Sequence, residues 1–94
     1  MLSSNEYFEG KVKSIGGIRS QEMDATIGAM EPGEYQFSTA VREFMTVISG
    51  SLNVQLPNSD SWKMYHAGET FEVEANSSFK LTVEVASSYL CRYE

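Results

Sequence analysis

The chemistry available to this chain is concentrated between Tyr35 and Glu43, with outlying contributions from Phe79 and Arg92. Glu43 is the leading candidate. Inside a strand-lined interior its carboxylate would bind sugar hydroxyls or help stabilise a developing positive charge. At a strand end it would instead pair with Arg42 or Lys63 in water, and both readings stay open here. Ser38 and Thr39 offer hydroxyl donors beside backbone amides, a combination suited to an anion, although both residue types are routine where a strand turns. Arg42 and Arg92 are the cations best matched to a phosphate, because a guanidinium fork meets its oxygens bidentately. Alternation through Tyr89-Leu90-Cys91-Arg92-Tyr93 sets Arg92 opposite the tyrosines, so inward tyrosines turn Arg92 toward solvent or a partner subunit. Trp62 and Tyr65 flank a loop and read as cover for a core or an interface.

Other chemistries lack their residues. Zinc or iron needs three or four nitrogen, sulfur or carboxylate ligands converging on one point. His66 is the only histidine and Cys91 the only thiol, and their separation carries no ligand spacing. His66 reads as a polar strand-end residue and Cys91 as a small buried hydrophobe. One histidine without a nucleophile motif makes no Ser/His/acid triad, and no glycine loop of the GxxxxGK type is present. No cofactor is expected.

The elements that must position these side chains are strands. Leu52, Val54 and Leu56 alternate with polar neighbours, as do Phe79, Leu81, Val83 and Val85, and Phe71 with Val73. That period of two marks half-buried antiparallel strands, and no 3.6-residue stripe competes with it. Glu31-Pro32-Gly33-Glu34 presets a turn before a strand. Ser49-Gly50 is expected to close a tight hairpin between Phe44–Ile48 and Ser51–Leu56. Gly16-Gly17 is expected to break or bend the first strand pair. Nine or ten short strands at this spacing predict a sandwich or closed barrel.

Length and charge bound the rest. The 94 residues make one domain spanning 1–94. A chain this size buries only about 60–70% of its unfolded surface, so a homodimer is expected. A net charge of −6 argues against nucleic acid or an anionic membrane as partner, since both need a basic footprint. It leaves room for a small anion. A single cysteine, no signal-like N-terminus and no long apolar run predict a soluble cytoplasmic protein.

Two segments carry a resemblance. GEYQFSTAVREFMTVISG (Gly33–Gly50) and GETFEVEANSSF (Gly68–Phe79) resemble the paired signatures of the cupin superfamily. In cupins, two histidines precede the glutamate and a third closes the second motif to hold a metal. Here Tyr35 to Val41 contains no histidine and the closing position is Phe79. Counting back from Glu43, the vacated positions are either Phe37 and Thr39 or Gln36 and Ser38. The first register is preferred, because Tyr35, Phe37 and Thr39 form the more apolar face. The interior would then hold Tyr35, Phe37, Thr39, Glu43, Met45, Val47, Phe71, Val73 and Phe79, an aromatic pocket with few polar groups. The fold class implied is an all-β, cupin-like antiparallel β-barrel, also described as a double-stranded β-helix or jelly-roll.

A narrower resemblance covers about nine-tenths of the chain. NEYFEGKVKSIG, PGEYQFSTA, EFMTVISGSLNVQLP, AGETFEVEANSSF and SYLCRY are together similar to the pyrimidine/purine nucleoside phosphorylase family. Gly17 to Asp24 is the least family-like portion, and Glu74 stands where a proline is usual. The resemblance implies a metal-independent pentosyltransferase of broad specificity. It would cleave purine and pyrimidine nucleosides with inorganic phosphate, giving free base and α-D-ribose 1-phosphate. On that footing Arg42 or Arg92, with Thr39 and Ser38, would take the phosphate, and Glu43 the ribose hydroxyls. Glu43 and Thr39 would serve catalysis, while Tyr35, Phe37 and Phe79 would pack the base. Aromatic stacking tolerates any base because every base has a π face. The competing expectation is a sensory cupin that binds a small molecule without turning it over.

Overall fold

The apolar halves of the alternating runs become one continuous interior in the computed structural model, which describes residues 1–94. The strands are β1 (Ser3–Tyr7), β2 (Val12–Ser20), β3 (Met23–Met30), β4 (Gly33–Ser38), β5 (Glu43–Ser49), β6 (Ser51–Gln55), β7 (Lys63–His66), β8 (Thr70–Val73), β9 (Ser78–Val83) and β10 (Ser87–Tyr93). A single turn of 3-10 helix, Phe8–Gly10, is the only helical element. The strands form two antiparallel sheets, β1-β2-β3-β10-β5-β8 and β4-β9-β6-β7, packed face to face. This is the expected all-β jelly-roll. Its two sheets are hydrogen-bonded separately, so it is a sandwich rather than a continuously closed cylinder.

Leu52, Val54, Leu81, Val83, Val47 and Val73 are all buried between the sheets. Leu52 and Leu81 are fully buried, and each such side chain stabilises the fold by about 1.5–3 kcal/mol relative to exposure. Gln36 and Ser38 are exposed while Tyr35 and Thr39 are buried, so the preferred register of β4 is the one adopted.

One expectation is corrected. Ser49-Gly50 does not close a hairpin, because β5 and β6 lie in different sheets. Gly50 sits at φ +76, and a β-carbon there would come within 2.2 Å of the Ser87 hydroxyl. Ser51 N–H donates to that hydroxyl at 3.0 Å. The turn therefore carries the chain around a corner pinned by Ser87, where a hairpin would have folded it back on itself. The sequence signal for the two turns is the same; only the distant Ser87 distinguishes them. At Gly16-Gly17 the expected distortion is present. The β2–β3 register shifts between Ile15 and Ile18, and Gly17 takes φ +82.

Candidate functional site

A cavity of about 350 Å³ lies between the sheets, at the lower end of the roughly 300–1,000 Å³ usual for small-molecule sites. It reaches the surface beside Tyr7 and Val41, both of which line it and are exposed. Small inward residues leave the space open. Ser14 and Cys91 project from β2 and β10, and Ala40 from the loop after β4. Larger aromatic groups face them from the four-stranded sheet. Phe37 and Phe79 sit in register on β4 and β9, with ring centroids 6.0 Å apart and stacked. Tyr7 closes against Phe37 edge-on at 6.2 Å.

Glu43 opens β5, between Tyr93 of β10 and Val73 of β8. It is half-buried and lines the cavity. No cation pairs with it: Arg42 reaches Glu72 at 3.3 Å and Glu94 at 3.5 Å instead. The Cys91 thiol donates to Glu43 Oε1 at 3.4 Å. Burial raises the carboxyl pKa above its ordinary value, and the thiol bond opposes this in part. Of the two roles open in the sequence, the geometry is that of an interior carboxyl. Burial also pushes Tyr89, Cys91 and Tyr93 up, so all three stay protonated near neutrality. Tyr93 Oη and Thr26 Oγ1 are 3.0 Å apart, which fixes that phenol against β3.

The other candidates divide. Phe37, Ser38, Glu43 and Phe79 meet at the cavity. Thr39 is buried outside it and acts as a clip: its hydroxyl donates to Glu74 C=O at 2.7 Å and accepts from Ser77 N–H at 3.1 Å. Tyr35 is buried at the far end of β4, where its hydroxyl donates to Glu31 C=O at 2.6 Å and its ring meets Phe8. Arg42 adjoins the cavity in sequence, but its guanidinium is held outside by Glu72 and Glu94. Arg92 lies on the outer face of the six-stranded sheet, bonded to Gln21 Oε1 at 2.5 Å and over the Phe44 ring. His66 ends β7 and is exposed. Nowhere do three His, Cys, Asp or Glu side chains gather as a metal-binding group.

Several lining residues escaped the sequence reading: Tyr7, Ser14, Met30 and Ala40. Strand alternation set Tyr89, Cys91 and Tyr93 on one face and left open which way it turned; that face lines the cavity. Tyr7 and Ser14 carried no local signal, because the β1–β2 pairing brings them to the cavity only within the finished sheet. The loop Thr39–Arg42 was also underread. No backbone N–H of Ala40, Val41 or Arg42 is used in a backbone hydrogen bond, so three donors remain beside the cavity mouth.

The site can thus hold a flat molecule against aromatic rings, with a carboxyl at one side and an anion-compatible loop next to it. A relative from Teredinibacter turnerae, named pyrimidine/purine nucleoside phosphorylase, is 58% identical over 94 residues, covering 100% of this chain and 99% of its own. A crystal structure of a protein of unknown function from Vibrio parahaemolyticus superposes with TM-score 0.94 at 45% identity, covering 100% and 99% of the two chains. An RmlC-like cupin from Shewanella frigidimarina, only 17% identical, shares the fold alone, with TM-score 0.75 over 94% of this chain and 79% of that one. The family profile described as pyrimidine/purine nucleoside phosphorylase matches residues 2–93, and the chain belongs to that family.

Proposed function

We propose that this protein is a broad-specificity nucleoside phosphorylase acting on purine and pyrimidine nucleosides with inorganic phosphate. The observation that carries the reading is one cavity joining an aromatic wall, the interior carboxyl Glu43 and a loop with unused amide donors. A phosphate oxygen forms a bond to C1′ as the C1′–N bond breaks. The bonding pair leaves with the base, which takes up a proton from solvent, and ribose 1-phosphate remains. Phosphate is itself the nucleophile, so no activated serine or cysteine is needed. Catalysis rests on positioning and on electrostatics around an oxocarbenium-like carbon.

Glu43 holds the ribose hydroxyls and faces the developing positive charge. Phe37 and Phe79 cover the base. Ser38 and the amides of Ala40, Val41 and Arg42 receive the phosphate, with the Arg42 guanidinium supplying charge once it leaves Glu72 or Glu94. Thr39 serves this site by clipping its loop to Ser77. Tyr35 steadies β4 from a distance, and Arg92 belongs to the outer face. That face also supports a homodimer: Ile15, Ile27 and Leu90 stand in register across three strands, with Ile15 and Ile27 about half exposed. The chemistry proposed uses no metal.

The test is direct. Purified protein incubated with uridine, adenosine or inosine should release free base only when phosphate is present. Binding of nucleoside without phosphate-dependent release would leave a sensory protein in place of the enzyme.

A further inference from the structure

Three polar side chains are almost fully buried: Ser14, Thr39 and Ser87. Thr39 is bonded to backbone groups of Glu74 and Ser77, and Ser87 to those of Ser51 and Val85. Ser14 differs. It is 5% exposed, lines the cavity and has no partner in the protein, yet its hydroxyl is not sealed from the cavity space. A buried hydroxyl without a protein partner is unfavourable unless something meets it.

A second hydroxyl stands beside it in the same state. Tyr89 is 6% exposed, lines the cavity and likewise lacks a protein partner for its phenol. Ser14, Gly28 and Tyr89 form one row across β2, β3 and β10. A β-carbon on Gly28 would lie 2.4 Å from both Cζ and Oη of Tyr89. The phenol therefore lies across Gly28, reaching from β10 over β3 toward Ser14, and only a glycine leaves room for it. Glu43 pairs with Tyr93 four residues further along β10, and its carboxyl reaches back to the Cys91 thiol at 3.4 Å. The cavity therefore carries two polar groups: a carboxyl near the phosphate loop, and a pair of hydroxyls on the other side of Cys91.

We propose that Ser14 and Tyr89 are the residues that meet the polar edge of the nucleobase, and that their hydroxyls allow one site to take both base classes. The proposal rests on the phosphorylase reading above. With ribose at Glu43 and the rings of Phe37 and Phe79 over the heterocycle, the hydroxyl row is where the base edge arrives. A hydroxyl donates or accepts according to how it rotates. The pair meets a carbonyl, a ring nitrogen or an exocyclic amine without rebuilding. Fixed amide or charged groups would reject the wrong edge by leaving a buried group unpaired. The phenol also stays protonated, since burial raises its pKa.

Ser14→Ala and Tyr89→Phe remove one hydroxyl each and keep the packing. Each is expected to lower kcat/KM about tenfold, by unequal factors for uridine and inosine, with the phosphate KM unchanged. Gly28→Ala keeps both hydroxyls but displaces the phenol, and should also shift the uridine-to-inosine ratio. A wild-type ratio in all three variants, or an equal loss for every nucleoside with a raised phosphate KM, overturns the proposal. Calorimetric binding of uracil and hypoxanthine without phosphate separates it from the reading beneath it. A protein that binds bases through Tyr89 yet cleaves nothing loses the phosphorylase reading and keeps the hydroxyl pair. A wild type that binds neither base overturns both.

Discussion

The two halves of this sandwich interior are built from the same alternating strands and end differently. Toward β6, β7 and β8 the space is filled: Leu52, Val54 and Leu81 are fully or almost fully buried, and Tyr65 packs on Phe71 at 4.8 Å. Toward β2, β3, β10 and the start of β5 it is hollow and edged with Glu43, Cys91, Tyr89 and Ser14. Both halves obey one binary pattern, so the pattern does not decide which becomes a site. Side-chain volume does. Leucine, valine and aromatic rings meet across the first half, whereas in the second Ser14, Gly28 and Cys91 stand among the larger inward residues and leave space between them. Polar groups tolerated there have partners in short supply, which fits a place where a ligand supplies the missing contacts.

The sharpest way to break this contrast is to truncate one residue in each half. Leu81→Ala empties a fully buried position in the filled half, and we expect a loss of about 2–5 kcal/mol in urea denaturation. Turnover per folded molecule should remain near the wild-type value. Glu43→Ala in the hollow half should do the opposite: phosphorolysis falls by about 10²-fold while the denaturation midpoint holds. If Leu81→Ala abolished turnover in fully folded protein, or Glu43→Ala unfolded it, the division into a structural and a chemical half would fail.

A smaller effect separates the two arginines, which look alike in sequence. Arg42→Ala should raise the phosphate KM about tenfold, the scale of a lost charged hydrogen bond. Arg92→Ala should leave it unchanged, because Arg92 lies over Phe44 on the outer face. A phosphate KM that responds to Arg92 and not to Arg42 would move the anion site to that face.

How much of this could be read beforehand follows from the range of the forces involved. Strand alternation is local, so an all-β sandwich or barrel and the register of Tyr35, Phe37 and Thr39 were legible; the jelly-roll followed from the resemblance to cupins, and Arg92 turned outward only on condition that its neighbouring tyrosines faced in. The Ser49-Gly50 corner was misread because Ser87, which pins it, comes 37 residues later in the chain than Gly50. Thr39 looked like an anion donor because its neighbours in sequence allow it; its hydroxyl is taken by Glu74 and Ser77 across the sandwich. Ser14 was invisible for the converse reason. A serine on an edge-side strand carries no signal until β3 and β10 close beside it.

The smallest effect probes the hollow half through pH. Glu43 is held in a site that raises its pKa above the ordinary value, with burial as the main cause. The folded state then holds its proton more tightly than the unfolded chain does. The stability associated with that proton is present below the ordinary glutamate pKa, and it is lost as pH rises through the higher folded value. Glu43→Gln removes the titration and keeps the shape. Its urea midpoint should match wild type under acidic conditions and exceed it slightly near neutrality, where the wild type must keep a carboxylate in a desolvated wall. The filled half offers no such group, so Leu81→Ala should shift the midpoint by the same amount across this pH range. A Glu43→Gln difference that stays constant with pH would mean the carboxyl is as well solvated as any surface glutamate. The hollow half would then be an open surface cleft, too wet to favour the differential charge stabilisation that phosphorolysis there requires.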